Sequence, residues 1–565
     1  MSSLREVPSA RYQPTWAWVV LGVLTALGFA LRLSGHDQSL GGDEYYTQTV
    51  ITASDGVVSL LRHVRDSYET TPPLYYLLGW LARKWNPSLT AIRIPSLLAG
   101  TALVPSVYFL ARRMAGWRAG LTAAALVSIS PFGIWYSNEA RAYALLALLC
   151  SLVMLQALRF VERPNWLNSL LLVAASTAAL YTHNTAVFCV LAVLAWVFLA
   201  HGELRGRAVA IGLATAAFYV PFLLTFEPRD VWWMFGHIYG RGPEIVWTGL
   251  ERMVLGSAYV PLRVVPGATG LVVVSVCVAV GAFTQRKQLP AARSPITLAL
   301  TVVITTIAAV YTYAMATNTN IFVPRSMNCM FAAALVLLAS AVARAVPGKL
   351  AAVLSVATLA VFGWSTATAF QAGWQRSDVK GAITTAAALK PQPRVVMSGG
   401  YRLRNYLPSE IADATIPKEL TRSQWAQIGH SFESVAWVNS LLPTGITRAA
   451  LESRRQLAHE AGFSITCSKL FPGYPPVLLQ VASRPGVKWV TAPACSAADL
   501  NRAMSIAPVN RRNVRVLPAG SSTTPTPSDL LLLVALVALM LGFLAWLLLG
   551  ANHKLTRHGR QAFLG

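Results

Sequence analysis

The sequence predicts a polytopic α-helical membrane protein of about twelve spans, with a small extracytoplasmic α/β domain between the last two. Three observations predict it. Of 565 residues, 55% are hydrophobic and 12% charged, with a mean hydropathy of +0.50; that charged fraction is about half what a soluble domain carries. Apolar runs of spanning or near-spanning length recur along the chain. The loops between them alternate, with Lys and Arg gathered in every second one. The formal net charge of +24 and pI near 10.2 do not point to a nucleic-acid partner. The basic residues are scattered through short loops and form no binding face.

The runs are Trp16–Leu33, Ile94–Leu110, Ala119–Trp135, Ala142–Phe160, Trp166–Tyr181, Thr185–Ala200, Ala208–Phe226, Ala268–Phe283, Ile296–Ala316, Met327–Ala343, Leu350–Phe370 and Leu530–Leu549. The first is long for the apolar core of a cleavable leader and no small-x-small site follows it, so it reads as a retained helix. The loops expected on the side of the N-terminus carry Arg5 and Arg11; Arg112, Arg113 and Arg118; Arg163; Arg205 and Arg207; Arg286, Lys287 and Arg293; Arg344 and Lys349; and Lys554, Arg557 and Arg560. The positive-inside rule makes that side cytoplasmic and puts both termini there.

Residues 1–370 are then a transmembrane domain whose first outside loop spans 34–93. Residues 371–528 form the extracytoplasmic domain, and 529–565 a last span with a cytoplasmic tail. The segment from Gln371 to Asp529 alternates β-rich runs (Arg394–Met397, Val435–Val438, Pro476–Val481, Val487–Val490) with helix-like stretches (Val379–Leu389, Thr447–Glu460), the pattern of an α/β fold. A Ser/Thr/Pro linker, Ser521–Ser528, leads back to the membrane. Cys150, Cys189, Cys277 and Cys329 lie within spans and read as small buried apolar residues. Cys467 and Cys495 are the pair in the outside domain, where an oxidising compartment favours a disulfide.

Six of the 23 acidic residues (Asp37, Asp43, Glu44, Asp55, Asp66 and Glu69) fall between the first two spans. Gly41-Gly42-Asp43-Glu44-Tyr45-Tyr46 is the densest point, and Tyr45 is a site candidate beside the two acids. Carboxylates next to a bilayer are costly to desolvate and mark functional sites by default; a solvated acidic loop is the other reading. Further on, Thr70-Thr71-Pro72-Pro73-Leu74-Tyr75-Tyr76-Leu77-Leu78 fixes an extended entry to a helix. Arg93-Ile94-Pro95-Ser96 opens the second span. Ser130-Pro131 to Tyr143 makes an outer turn carrying Glu139 and Arg141, either an ion pair anchoring the turn or part of a site. Tyr181-Thr182-His183-Asn184 makes the next outer turn, and Pro324-Arg325 caps the tenth span.

In this order, the acidic pair, P-P-L-Y-Y-L-L, R-I-P-S-L-L-A-G, S-P-F-G-I-W-Y-S-N-E-A-R-A-Y-A-L, the T-H turn and the P-R turn resemble the membrane glycosyltransferases of the GT-C fold. The likeness is to the protein-mannosyltransferase-like group, glycosyltransferase family 39 and its bacterial relatives, and runs from residue 10 to about 370. The resemblance implies a transferase taking sugar from a polyprenyl-phosphate donor at the outer leaflet, with the first loop supplying the catalytic carboxylate. That maps onto Asp43, with Glu44 beside it. Aminoarabinose-transferring relatives have Glu-Lys before the double proline. Here Thr70 and Thr71 stand there, with Glu69 one position upstream, which weighs against an aminoarabinose donor.

The residues suit that chemistry. An acceptor hydroxyl loses its proton as it attacks the anomeric carbon, and a positioned carboxylate takes it. One displacement with one base inverts the centre. The leaving lipid phosphate needs cations rather than a general acid, and Arg141 and Arg325 are the candidates, since Arg recognises phosphate bidentately. A divalent metal ion held by Asp43, Glu69 or His183 stays open, because no tight ligand spacing is present. The expected partners are a polyprenyl-phosphate sugar, an extracytoplasmic acceptor and membrane lipid. The Ala/Arg/Val-rich, Lys-poor composition is of the high-GC bacterial kind, which suggests a mannose- or arabinose-type sugar and a bacterial inner (cell) membrane. The rival reading is a transporter or flippase of lipid-linked sugars, against which stands the lack of an inverted repeat.

Overall fold

The computed structural model describes residues 13–67, 71–225, 249–253, 267–286, 291–317, 324–372, 375–397, 412–413, 423, 432–440, 448–473, 476–489, 497–506 and 534. They fall in two compact units. One comprises the described residues of Met1–His36, Tyr46–Thr368 and Ala519–Gly565; the other comprises Asp37–Tyr45 and the described residues of Ala369–Pro518.

The first unit is helical: α1 (Trp16–Leu33), α2 (Gly42–Thr52, whose first turn groups with the other unit), α3 (Val57–Asp66), α4 (Leu74–Trp85), α5 (Ile94–Ala115), α6 (Trp117–Ile129), α7 (Pro131–Ser137), α8 (Tyr143–Glu162), α9 (Trp166–Thr182), α10 (Ala186–Ala200), α11 (Arg205–Thr225), α12 (Gly267–Thr284), α13 (Pro295–Thr317), α14 (Asn328–Ala343) and α15 (Gly348–Ala369). Among the described residues seven helices are long and apolar enough to cross a membrane, or eight if α6 and α7 count as one bent span. Three more, Trp166–Thr182, Ala186–Ala200 and Thr269–Thr284, are apolar but shorter. The expected span Leu530–Leu549 and the linker before it lie outside the described residues, apart from residue 534. The core is continuous, with α5 packed on α6 and α8, and α14 on α6 and α8.

The expected third span, Ala119–Trp135, is not one straight helix: α6 and α7 meet at 58°. Pro131 has no N–H to return to Val127, so the ladder breaks there and leaves carbonyls without helix partners. Arg32, fully buried on α1, answers them. Its Nη2 donates to Val127 O (3.0 Å), its Nη1 to Ser128 O (3.3 Å) and Gly28 O (2.8 Å), and its Nε to Ser137 Oγ (3.0 Å). Thr366 Oγ1 donates to the carbonyl of Ile129. A spanning segment tolerates such a break where other groups re-satisfy its backbone. Arg32→Leu leaves two buried carbonyls without their donor, at about 2–4 kcal/mol; a lower thermal midpoint in detergent is expected, and an unchanged midpoint would show that another donor takes over.

The second unit carries a five-stranded sheet of order β2-β1-β3-β5-β4, with β1 (Arg394–Met397), β2 (Ala412–Asp413), β3 (Ser434–Ser440), β4 (Ser464–Phe471) and β5 (Val477–Ser483). β1 is parallel to β2 and β3; β5 runs antiparallel to β3 and β4. Alternation along β3 sends Val435 and Trp437 into one small core, with Ala458 and Phe463, and Ala436 and Val438 into another, with Val379 and Ile383. The helices are α16 (Val379–Ala387), α17 (Arg448–Glu460) and α18 (Ala497–Ile506).

The sheet corrects one sequence expectation and adds two strands, β2 and β4, that the sequence did not announce. Residues 487–489 form no strand, because Pro485-Gly486 turns the chain out of β5 with Gly486 at φ 88°; Val490 lies outside the described residues. β4, unexpected from sequence, has its alternation interrupted by a bulge between Ile465 and Cys467. Cys467 on β4 is disulfide-bonded. Cys495 lies outside the described residues, and the four cysteines of the spans are free. We expect Cys495 to be the partner, for about 3–4 kcal/mol of stabilisation in the chain-entropy model. Non-reducing peptide mapping should recover the joined peptides; alkylation of Cys495 in unreduced protein would refute the pairing.

Candidate active site

The motifs read from the sequence are gathered by a small set of polar contacts in the first unit. Tyr75, in the first turn of α4, places its hydroxyl 2.9 Å from Ile92 O and 2.7 Å from Ser96 Oγ. Ser96, two residues into α5, lies 2.6 Å from the carbonyl of Glu139 and 3.1 Å from that of Arg141. The double-proline motif and the start of the second span therefore hold the turn between α7 and α8 by its backbone. Arg93, buried, donates to His36 O at 2.7 Å.

That turn carries Glu139 and Arg141, both buried. Among the contacts of the Arg141 guanidinium are three neutral hydroxyls: Thr47 Oγ1 at 3.4 Å, Tyr76 OH at 3.5 Å and Thr71 Oγ1 at 3.3 Å. They come from α2, α4 and the segment before the double proline. Hydroxyls at such distances help to orient the guanidinium.

His183 stands in the turn between α9 and α10. Its Nδ1 accepts the Thr185 N–H at 3.2 Å, which leaves the ring proton on Nε2, and its ring lies 5.6 Å from that of Tyr143. Burial, and then the positive charges of Arg141 and Arg325, push its pKa down to about 3. The ring is therefore neutral at physiological pH, and both candidate cations lie close enough to act on it. Arg325 itself is half-buried in the single turn Pro324–Met327.

The acidic pair belongs to the second unit. Asp43 and Glu44 occupy the first turn of α2. Glu44 is fully buried: its Oε2 accepts the Gly41 N–H at 2.6 Å and Arg376 Nη1 at 2.6 Å. Reaching back to the backbone ahead of the helix is the second half of a capping box. Asp43 is half-buried and Tyr45 buried. Glu69 lies outside the described residues. Among the described residues no three His, Cys, Asp or Glu side chains gather as a metal site.

Sequence reasoning missed Thr47, Thr71, Tyr76 and Ser96 as individuals, although three of them sit in motifs it quoted. It also missed Arg376, for which the sequence carried no signal.

A unit with several helices long and apolar enough to cross a membrane, a turn bearing a buried arginine, and a sheet-containing unit resemble the membrane glycosyltransferases of the GT-C fold. The family described as dolichyl-phosphate-mannose-protein mannosyltransferase matches residues 70–232, a stretch that takes in the double-proline, Arg-Ile-Pro-Ser, Asn-Glu-Ala-Arg and Thr-His motifs. The fold is similar to that of ArnT from Cupriavidus metallidurans bound to undecaprenyl phosphate, at 13% identity and a TM-score of 0.50, over 82% of this chain and 98% of that one. The oligosaccharyltransferase of Archaeoglobus fulgidus also matches, at 13% identity and a TM-score of 0.48, over 75% of this chain and 69% of that one. So does the arabinosyltransferase EmbB from Mycobacterium smegmatis, at 16% and 0.37, over 66% and 32%. No curated protein matches the sequence. The resemblance read from the order of motifs is borne out, and the expectation of a transferase-type membrane protein with it.

Proposed function

We propose that the protein is an inverting glycosyltransferase that moves a sugar, of mannose or arabinose type, from a polyprenyl-phosphate donor to an extracytoplasmic acceptor such as cell-wall glycan, glycolipid or protein. The observation that carries the reading is the buried Arg141, held on a backbone-clamped turn inside the segment that matches the mannosyltransferase family. The undecaprenyl phosphate in the ArnT structure is a polyprenyl phosphate, which supports that donor class.

In this reading the acceptor oxygen attacks the anomeric carbon from the face opposite the lipid phosphate. Its proton passes to Asp43, and the bond from anomeric carbon to phosphate oxygen breaks. The donor carries one phosphate charge as a diester and gains a second as it leaves, so cations matter most in the transition state. Arg141 and Arg325 supply them, with Thr47, Thr71 and Tyr76 orienting Arg141. His183, neutral, adds a donor without charge, and Glu139 belongs to the turn that presents Arg141. Glu44 fixes the helix that carries Asp43.

The site is assigned in this reading to the outer face of a bacterial inner membrane, with about twelve spans and both termini inside. A reporter fused after Gly400 is expected to be active outside; activity confined to the cytoplasm would overturn the topology. The function is tested with purified protein, a labelled polyprenyl-phosphate sugar and a mixture of acceptors in detergent. Sugar appearing on an acceptor supports transfer. No transfer in detergent, with movement of the lipid-linked sugar across sealed liposomes, would establish the flippase instead.

A further inference from the structure

The first turn of α2 is built by two stretches far apart in sequence. Arg376 follows α15 and donates from Nη1 to Glu44 Oε2 at 2.6 Å, with side-chain exposures of 6% and 0%. The surrounding contacts run in register with it. Gln38 Nε2 donates to Gln375 Oε1 at 3.2 Å, and the Lys380 N–H donates to Ser39 Oγ at 2.9 Å. Gly41 lies close against the pair: a Cβ there would stand 3.0 Å from Arg376 Nη1 and 3.4 Å from Glu44 Oε2, so a side chain would press on both partners. A buried ion pair is a poor stability device, because the desolvation of both charges offsets most of their attraction. What it supplies is a fixed geometry, and the geometry here is that of the turn bearing Asp43.

We propose that Arg376 is a positioning residue for the transfer reaction: by clamping Glu44 it sets the attitude of the α2 turn and of Asp43, so that the segment beyond the last described span is part of the catalytic apparatus. The inference rests on the reading of Asp43 as base. A misplacement of about 1 Å in a catalytic group costs on the order of 10²-fold in rate.

The test uses the full-length protein in detergent, with kcat and donor KM measured separately. Arg376→Gln is expected to lower kcat by about 10- to 100-fold with donor KM changed by less than about threefold. Combined with Glu44→Gln it should cost little more than the worse single change, because both remove one interaction. Gly41→Ala disturbs the pair without removing either charge and should lower kcat in the same way, which keeps the idea testable should Arg376→Gln not fold. Wild-type kcat in Arg376→Gln, or in Gly41→Ala where Arg376→Gln does not fold, would overturn the proposal. So would an effect confined to KM, or simple additivity in the double variant. Asp43→Asn measured in parallel separates the two ideas. If it is inactive while Arg376→Gln is normal, only the clamp fails; if it is fully active, the base assignment itself fails.

Discussion

Asp43→Asn is expected to lower kcat by about 10²–10⁴-fold, the usual contribution of a positioned general base, while donor binding is retained. Asn keeps the size and the hydrogen-bonding reach of Asp and loses only the basicity. Glu44→Gln is the informative companion. Glu44 is fully buried and bonded to the Gly41 N–H and to Arg376, so its carboxylate is already engaged by the protein without any substrate. Adjacent residues on a helix diverge by about 100°, so the two acids cannot do one job. Glu44→Gln should therefore impair the protein through the helix turn, with some loss of stability as well as of rate. Near wild-type turnover in Asp43→Asn with a dead but folded Glu44→Gln would reverse the assignment; full activity in both would move the catalytic centre out of this loop.

Arg141→Gln is expected to cost about 10- to 100-fold in kcat/KM for the lipid donor, the worth of a hydrogen bond to a charged group. The effect should exceed that of Arg325→Gln, because Arg141 is buried and held on a turn whose carbonyls are clamped by Ser96, whereas Arg325 is half-buried. Lys in place of Arg141 keeps the charge and loses the fork, so Arg141→Lys should recover only part of the loss. Titrating binding of a polyprenyl phosphate alone would separate ground-state recognition from transition-state stabilisation: a variant that binds it normally but turns over slowly has lost the second. If Arg141→Gln neither binds nor turns over differently from the parent, the guanidinium serves only the turn.

The class of fold was legible because apolar runs and basic loops are local features of the chain. Residues such as Trp16–Leu33 and Tyr143–Glu162 announce themselves by composition over a single window. The motif order reached further, since P-P-L-Y-Y-L-L, R-I-P-S and N-E-A-R lie in the segment that the mannosyltransferase family matches. Strand β5, apolar through most of its length and buried at every position, was read directly. β4 was not, because the bulge at Ile465/Cys467 shifts the alternation on which a strand reading depends.

The rest was decided in three dimensions. Pro131 announces a break, but nothing local says that Arg32, about a hundred residues upstream, supplies the hydrogen bonds that make the break tolerable inside an apolar core. Asp43-Glu44 announces charge, but the division of labour between the two depends on Arg376, which lies 332 residues from Glu44. Buried polar groups must find partners wherever the fold brings them, and pairing at that separation leaves no periodicity in the sequence. The sequence by itself determined which segments are apolar, which loops are basic and where the acids concentrate, because each is a property of neighbours along the chain. Only the tertiary structure decided which cation meets which acid, since that choice is made by packing and by the cost of leaving a buried charge alone.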